Sequence, residues 1–244
     1  TLSYDVVIQG VKGDIKKNIE NFINLPDAST LTTYRIERLH AEVIDSIPKA
    51  LSALGYYDPV IKGTLQKSDS KYVSQVMVSL GAPVLVSNIR LKVVGAAEQE
   101  RLFDKVLADF PLKQGDIFHH GKYEQGKARI ADVASAKGYF DATFIKSRVE
   151  VSTSNRSASI ELTMDSGHRY RFGDVLFQEG ALANEFLMRF VPFKKEEFYD
   201  AALLLQFRQN LINSGYFRSV RIQRDPEEAV DDLLGVGQAG QRKL

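Results

Sequence analysis

The sequence predicts an α+β fold of three tandem βααββ units, each a three-stranded mixed sheet with two helices on one face. Three observations carry that prediction. A tripeptide recurs as Gly55-Tyr56-Tyr57, Gly138-Tyr139-Phe140 and Gly215-Tyr216-Phe217, at intervals of 83 and 77 residues. Such a period marks an internal repeat. Each copy also closes a stretch of helical apolar spacing and opens one of strand-like alternation. The order around the first two copies is the same (strand, two helices, tripeptide, two strands), and the third follows it until a weakly defined last strand. Glycine suits a helix end because the C′ residue often takes φ > 0, which costs glycine no Cβ clash, and the two aromatics behind it can pack over the helix. The predicted units are residues 1–83, 84–168 and 169–244, each of a size that closes its own core.

In the first unit, Tyr4, Val6 and Ile8 alternate as in a half-buried strand that ends at Gly10. Asp14 is expected to cap a short helix carrying Ile15, Ile19, Phe22 and Ile23. LPDASTLTT interrupts it, and a longer helix follows with Ile36, Leu39, Val43, Ile47, Leu51 and Leu54 on one face. Pro48 sits inside that pattern and is expected to kink or divide the helix. Strands near 57–66 and 72–80 meet across the polar turn Lys67-Ser68-Asp69-Ser70.

The second unit repeats this order: Ile89, Leu91 and Val93 for the first strand, and Leu102 to Phe110 for the first helix. The break Pro111-Leu112-Lys113-Gln114 precedes a helix with Tyr123, Ile130, Val133 and Ala134, and strands at 140–151 and 157–164 pair across SNR. The third unit opens with Val175 and Phe177 as a strand and repeats the break as Pro192-Phe193-Lys194-Lys195. Val220 and Ile222 start a strand after Gly215, and Leu233, Leu234 and Val236 could supply a last one.

Two helices between the first and second strands make a crossover, and the last two strands make a hairpin. The last strand is therefore expected at the centre of each sheet, with the strand after each tripeptide at an edge. An edge offers main-chain hydrogen bonds, so a partner chain can add a strand there with little demand on its own sequence. Proteins also cover such edges to avoid aggregation. The residues nominated for partner binding on these edges are Val60, Ile61, Phe144, Ile145, Val220 and Ile222.

Composition narrows the chemistry. The chain is 44% hydrophobic and 26% charged, which is globular, and it has no 18-residue apolar run that could form a membrane-spanning helix. Cysteine is absent, which an oxidising compartment permits. The chain starts at Thr1 without methionine, consistent with processing. Net charge is +1, and the three units carry 0, +1 and 0. No unit has the basic excess that nucleic acid or an anionic membrane surface would require.

Catalytic, cofactor and metal sites are not expected. His119-His120 is the one histidine cluster, and neighbouring histidines without further ligands read as a solvated loop. GVGQAG (Gly235, Gly237, Gly240) matches a dinucleotide fingerprint in letters only, since an acidic loop precedes it and the sequence ends at Leu244. Glu227, Glu228, Asp231 and Asp232 lack the spacing of a cation loop. No GxSxG or HExxH occurs. Asn155-Arg156-Ser157 fits a sequon but lies in a tight turn.

A tandem βααββ unit of this length, with Gly-Tyr-aromatic closing its second helix, resembles the polypeptide-transport-associated (POTRA) domain of the Omp85 superfamily. KALSALGYYDP and SGHRYRFGDVLFQEG resemble segments of the translocation-and-assembly branch of that superfamily, and the three-unit count fits it. The resemblance runs to about Ile222; after Arg224 a complete member would continue into a transmembrane β-barrel, so the chain is expected to be the arm alone. The resemblance implies a periplasmic address in a Gram-negative bacterium, with attachment to the outer membrane. It also implies a role in assembling outer-membrane proteins, and as partners a TamB-like inner-membrane-anchored protein, outer-membrane protein clients and the chain's own C-terminal β-barrel. Nucleic acid and small-molecule substrates are not expected. The alternatives are the arm of another Omp85-type receptor, BamA-like or of two-partner secretion, and an enzyme with a site between domains.

Overall fold

A computed structural model describes residues 2–177 and 182–223. The expected last strand at 233–236, the GVGQAG match and the acidic run 227–232 lie outside the described residues. Contacts divide the chain into two compact units.

The first compact unit comprises residues 1–89, 111–126 and 148–160. Its sheet is built from β1 (Ser3–Gln9), β2 (Val60–Ser68) and β3 (Lys71–Ser79) in the order β1-β3-β2. The last strand is central, as the crossover and hairpin demand. β1 runs parallel to β3 from Ser3↔Lys71 to Gln9↔Met77, and β2 runs antiparallel to it from Val60↔Ser79 to Ser68↔Lys71. The hairpin turns at Asp69, whose φ of +50° is tolerated by a short polar side chain.

Helices α1 (Gly13–Phe22) and α2 (Thr33–Ser52) complete the first core. Ile19, Val43, Ile47 and Leu51 pack with Ile8, Val76 and Val78, while Ile36 and Leu39 join Tyr4 and Tyr72. The helical periodicity of α2 thus turns one stripe onto the pleated face of β3. Two local expectations change. Asp14 lies in the first turn of α1, after the N-cap residue Lys12, and its carboxylate opposes the positive helix end. Pro48 neither ends nor divides α2, which continues to Ser52. The fully buried Ile47, Ala50 and Leu51 around it hold the last turns against the core.

The second compact unit comprises residues 90–110, 127–147 and 161–244. The second sheet, β4 (Leu85–Val94), β5 (Thr143–Ser152) and β6 (Ser157–Asp165), has the order β4-β6-β5 and contributes residues to both units. Its helices are the short α3 (Asp104–Ala108) and α4 (His120–Ala136). Phe103, Phe110, Ile130, Ala134, Leu162 and Met164 are buried, at the positions the spacing predicts.

Beyond it come α5 (Asn184–Leu187) and α6 (Ala201–Asn213), with Phe207 and Leu211 buried. The expected strands at Val175–Phe177 and Val220–Ile222 are irregular backbone. In both observed sheets the outer strands pair with the last strand and not with each other. Residues 175–177 and 220–222 correspond to outer strands, and the central position would fall at 224–244, outside the described residues.

Candidate partner-binding edges and helix-end joints

Glycine carries each tripeptide through left-handed backbone, with φ of +89° at Gly55, +87° at Gly138 and +76° at Gly215. At the first two, paired hydrogen bonds close the helix as a Schellman motif. Gly55 N–H donates to the Ser52 carbonyl (3.0 Å) and Tyr56 N–H to that of Leu51 (3.0 Å); Gly138 and Tyr139 do the same toward Ser135 (3.2 Å) and Ala134 (2.9 Å). Gly215 N–H donates to the Ile212 carbonyl at 3.2 Å.

The glycine carbonyl then receives the start of the next repeat. Within the first compact unit, Val84 N–H donates to Gly55 O at 2.8 Å. Val84 to Val86 are clipped to the turn after the Pro-x-Lys break: Leu85 bridges Ile117, Val86 N–H reaches Asp116 O (2.8 Å), and Phe118 N–H reaches Val84 O (2.9 Å). The Asp116 carboxylate tightens that turn by accepting from Lys113 N–H at 2.7 Å. Within the second compact unit the same clip recurs. Tyr170 N–H donates to Gly138 O (2.8 Å), Arg171 bridges Phe198, and Phe172 N–H reaches Glu197 O (2.8 Å). Tyr199 N–H reaches Tyr170 O (3.0 Å), and the Glu197 carboxylate accepts from Lys194 N–H (2.9 Å). PLKQGD and PFKKEE are thus two copies of one clip, whose role as a joint was not evident from the sequence although the repeated break was.

The aromatics brace these joints unequally. Tyr139 is 1% exposed against Phe103, and Phe140 meets Tyr170 and Tyr199 edge-on at 5.1 and 4.9 Å. Tyr216 is 59% exposed, edge-on to Phe186 at 5.4 Å. Polar contacts add to the second joint. Arg169 donates to the Lys137 carbonyl (2.8 Å) and to Glu100 (3.3 Å), and lies 4.5 Å over the Phe198 ring. Lys137 Nζ pairs with Asp200 at 2.7 Å, and Asp200 also caps α6 by accepting from Ala202 N–H. Burial acts to raise the Asp200 carboxyl, but these hydrogen bonds outweigh it and hold the group below its usual range. The Tyr139 hydroxyl, buried and close to Glu100, is pushed up to about 12.

β2 and β5 are edges of their sheets. On β2, Val60 is 56% exposed, while Ile61 packs against the first core. On β5, Ile145 is 62% exposed, and Phe144 is half-buried with Lys127 Nζ 5.2 Å from its ring. Charged side chains accompany β5: Lys146 pairs with Glu161 on the central strand at 2.8 Å, and Arg148 pairs with Glu150. Val220 and Ile222 lie on no strand; they line a groove beside α6 with Leu204 and Leu205. The six nominated residues lie on three separate elements, β2, β5 and the segment after α6. The sheets also expose β1 and β4 as opposite edges, which the sequence reading did not nominate; the Leu85–Ile117 bridge engages the start of β4.

Among the described residues no three His, Cys, Asp or Glu side chains form a metal cluster. His119 accepts from Lys122 N–H at 3.2 Å in the first turn of α4, and burial, with the Lys122 charge behind it, lowers its pKa. His120 lies exposed, 3.8 Å from Glu124. The arrangement builds joints and presents main chain at sheet edges.

Residues 5–80 match the family described as POTRA domain, TamA domain 1, and residues 87–167 match the POTRA family, surface antigen variable number repeat. Among solved structures, the chain is similar to BamA POTRA3–5 of Haemophilus influenzae (18% identity, 98% of this chain and 93% of that chain, TM-score 0.42). It is also similar to POTRA1–3 of the periplasmic domain of Omp85 from Anabaena (15%, 92% and 89%, TM-score 0.35) and to CdiB from Escherichia coli (15%, 67% and 26%, TM-score 0.26).

Proposed function

The chain belongs to the POTRA-domain family, its first unit of the TamA domain 1 kind, and from that premise we propose that it is a periplasmic protein-interaction arm of an outer-membrane assembly or translocation factor. The observation that carries this reading is the edge position of β2 and β5, each immediately after a Gly-Tyr-aromatic joint. A sheet edge binds an extended chain through main-chain hydrogen bonds, and the alternate side chains, Val60 on β2 and Ile145 on β5, add selectivity. Such a surface holds a partner without chemistry, and the arm acts as a non-enzymatic module that needs no cofactor.

The partners this reading names are a TamB-like inner-membrane-anchored protein, client outer-membrane chains, and a C-terminal β-barrel of the same polypeptide. Residues 169–244 form the third domain in this reading, following 1–83 and 84–168, and the recurrence of one clip at Val84–Val86 and at 170–172 supports it.

Photocrosslinking tests it. Benzoylphenylalanine placed at Val60, Ile145 or Val220 should label strand-forming partner or client chains from at least one position. Absence of label at all three, with the arm folded by circular dichroism, would remove strand addition as its mode of binding.

A further inference from the structure

Charge balanced by unit conceals a local asymmetry. Residues 201–223 contain Arg208, Arg218 and Arg221 and not one Asp or Glu. Helix α6 within this stretch has two apolar faces. Phe207 and Leu211 are buried, whereas Leu205 and Ile212 are 66% and 40% exposed. At 100° per residue, Leu205, Arg208 and Ile212 fall within one outward stripe about 60° wide, centred about 110° around the helix from the buried pair.

The repeat supplies an internal comparison. Moving back by the two tripeptide intervals places Ala128, Ala131 and Ser135 of α4, then Asp45, Pro48 and Ser52 of α2, at the positions of Leu205, Arg208 and Ile212. The same shift places Ile130 and Ala134, then Ile47 and Leu51, at Phe207 and Leu211, and all are buried, so the register is sound. Of these three helices, α6 alone carries a large-aliphatic and basic outer stripe. Beside it, Leu204, Leu205, Val220 and Ile222 share a groove of about 560 Å³ with Arg208 and Arg221. Tyr216 stands 59% exposed where its counterpart Tyr139 is 1% exposed.

We propose that α6 and the segment following it, to residue 223, form a docking surface for an anionic phospholipid bilayer. Exposed leucine and isoleucine can enter the acyl boundary, tyrosine suits the headgroup level, and guanidinium forks pair with lipid phosphates. A surface with three arginines and no carboxylate within 23 residues complements negative headgroups. Neither β2 nor β5 contributes, and of the residues nominated for strand addition the surface takes in only Val220 and Ile222.

Vesicle flotation of the full chain tests this. Binding should be strong on phosphatidylcholine vesicles containing about one-third phosphatidylglycerol, weak on phosphatidylcholine alone, and reduced by salt. The Arg208→Glu/Arg221→Glu variant should lose at least about fivefold in vesicle affinity for each arginine. Leu205→Asp should weaken binding further, whereas Arg38→Glu on α2 should leave it unchanged. The chain lacks tryptophan, so Tyr216→Trp supplies a sole reporter whose emission should shift to the blue on anionic vesicles. Circular dichroism establishes that each variant is folded. Equal or absent flotation on the two lipid mixtures, or undiminished binding by the folded double arginine variant, would overturn the proposal.

Discussion

His40 of α2 reaches across the helix–sheet interface, where its Nδ1 lies 2.5 Å from the Oγ of the fully buried Ser74 on β3. Below it, a Cβ on Gly63 of the edge strand would come within 3.2 Å of the imidazole and 2.4 Å of Ile44. Burial pushes the His40 pKa below the ordinary imidazole value. The folded chain then binds that proton less readily than the unfolded chain, so stability rises with pH. The contribution is complete above the unfolded value near 6.5 and declines as pH falls toward the depressed folded value. Urea unfolding at pH 7.5 and pH 5.0 should show a larger loss on acidification for wild type than for His40→Gln; equal losses would refute the assignment. At this scale the sequence was partly legible. Alternation separates Val60 from Ile61, because one faces out and the other in. The His40–Ser74 contact joins residues 34 apart and has no local signature.

The elements were legible where both sides of their packing lie in one repeat. The α2 stripe Ile36, Leu39, Val43, Ile47 and Leu51 is buried against β3 and β1, and each hairpin put its second strand at the centre. Pro48 does not divide the helix, because propensity is a local quantity and burial is not. A proline within a helix removes one hydrogen bond and crowds the preceding turn, but Ile47, Ala50 and Leu51 are fastened to the core on either side of it. Helix continuity is therefore maintained at a cost. Pro48→Ala restores an N–H facing the Ile44 carbonyl and should raise stability by about 1–3 kcal/mol, read as a higher urea midpoint at unchanged slope. A lower midpoint would mean that the proline fits the turn it occupies. The strands expected at 175–177 and 220–222 are irregular backbone, and the last strand, with which the outer strands pair in both observed sheets, is expected outside the described residues.

Tandem repeats derive stability from each unit and from the interfaces between neighbours. The period of the tripeptide marks a repeat, but one repeat read alone cannot show that its glycine carbonyl accepts from the segment that follows. That contact decides how three similar glycines should respond to substitution. An alanine at any of them pays about 1 kcal/mol for a side chain at φ > 0. At Gly55 the new Cβ would also sit 2.4 Å from the Phe118 carbonyl oxygen and 2.8 Å from Ile117, so the clip itself must move. At Gly138 it would meet Tyr199 Cβ at 2.9 Å and the Tyr170 carbonyl at 3.3 Å, a milder overlap that still requires the backbone at Tyr199 to shift. At Gly215 it would meet nothing within 4 Å among the described residues. The expected order of destabilisation is Gly55→Ala, then Gly138→Ala, then Gly215→Ala, with the first costing about 2–3 kcal/mol and the last about 1 kcal/mol. Because the clip couples neighbours, Gly55→Ala should also broaden the urea transition, whereas Gly215→Ala should shift it without changing its slope. Equal costs and parallel transitions for all three would mean that the glycines serve only their helix ends and that the clip contributes nothing to coupling along the chain.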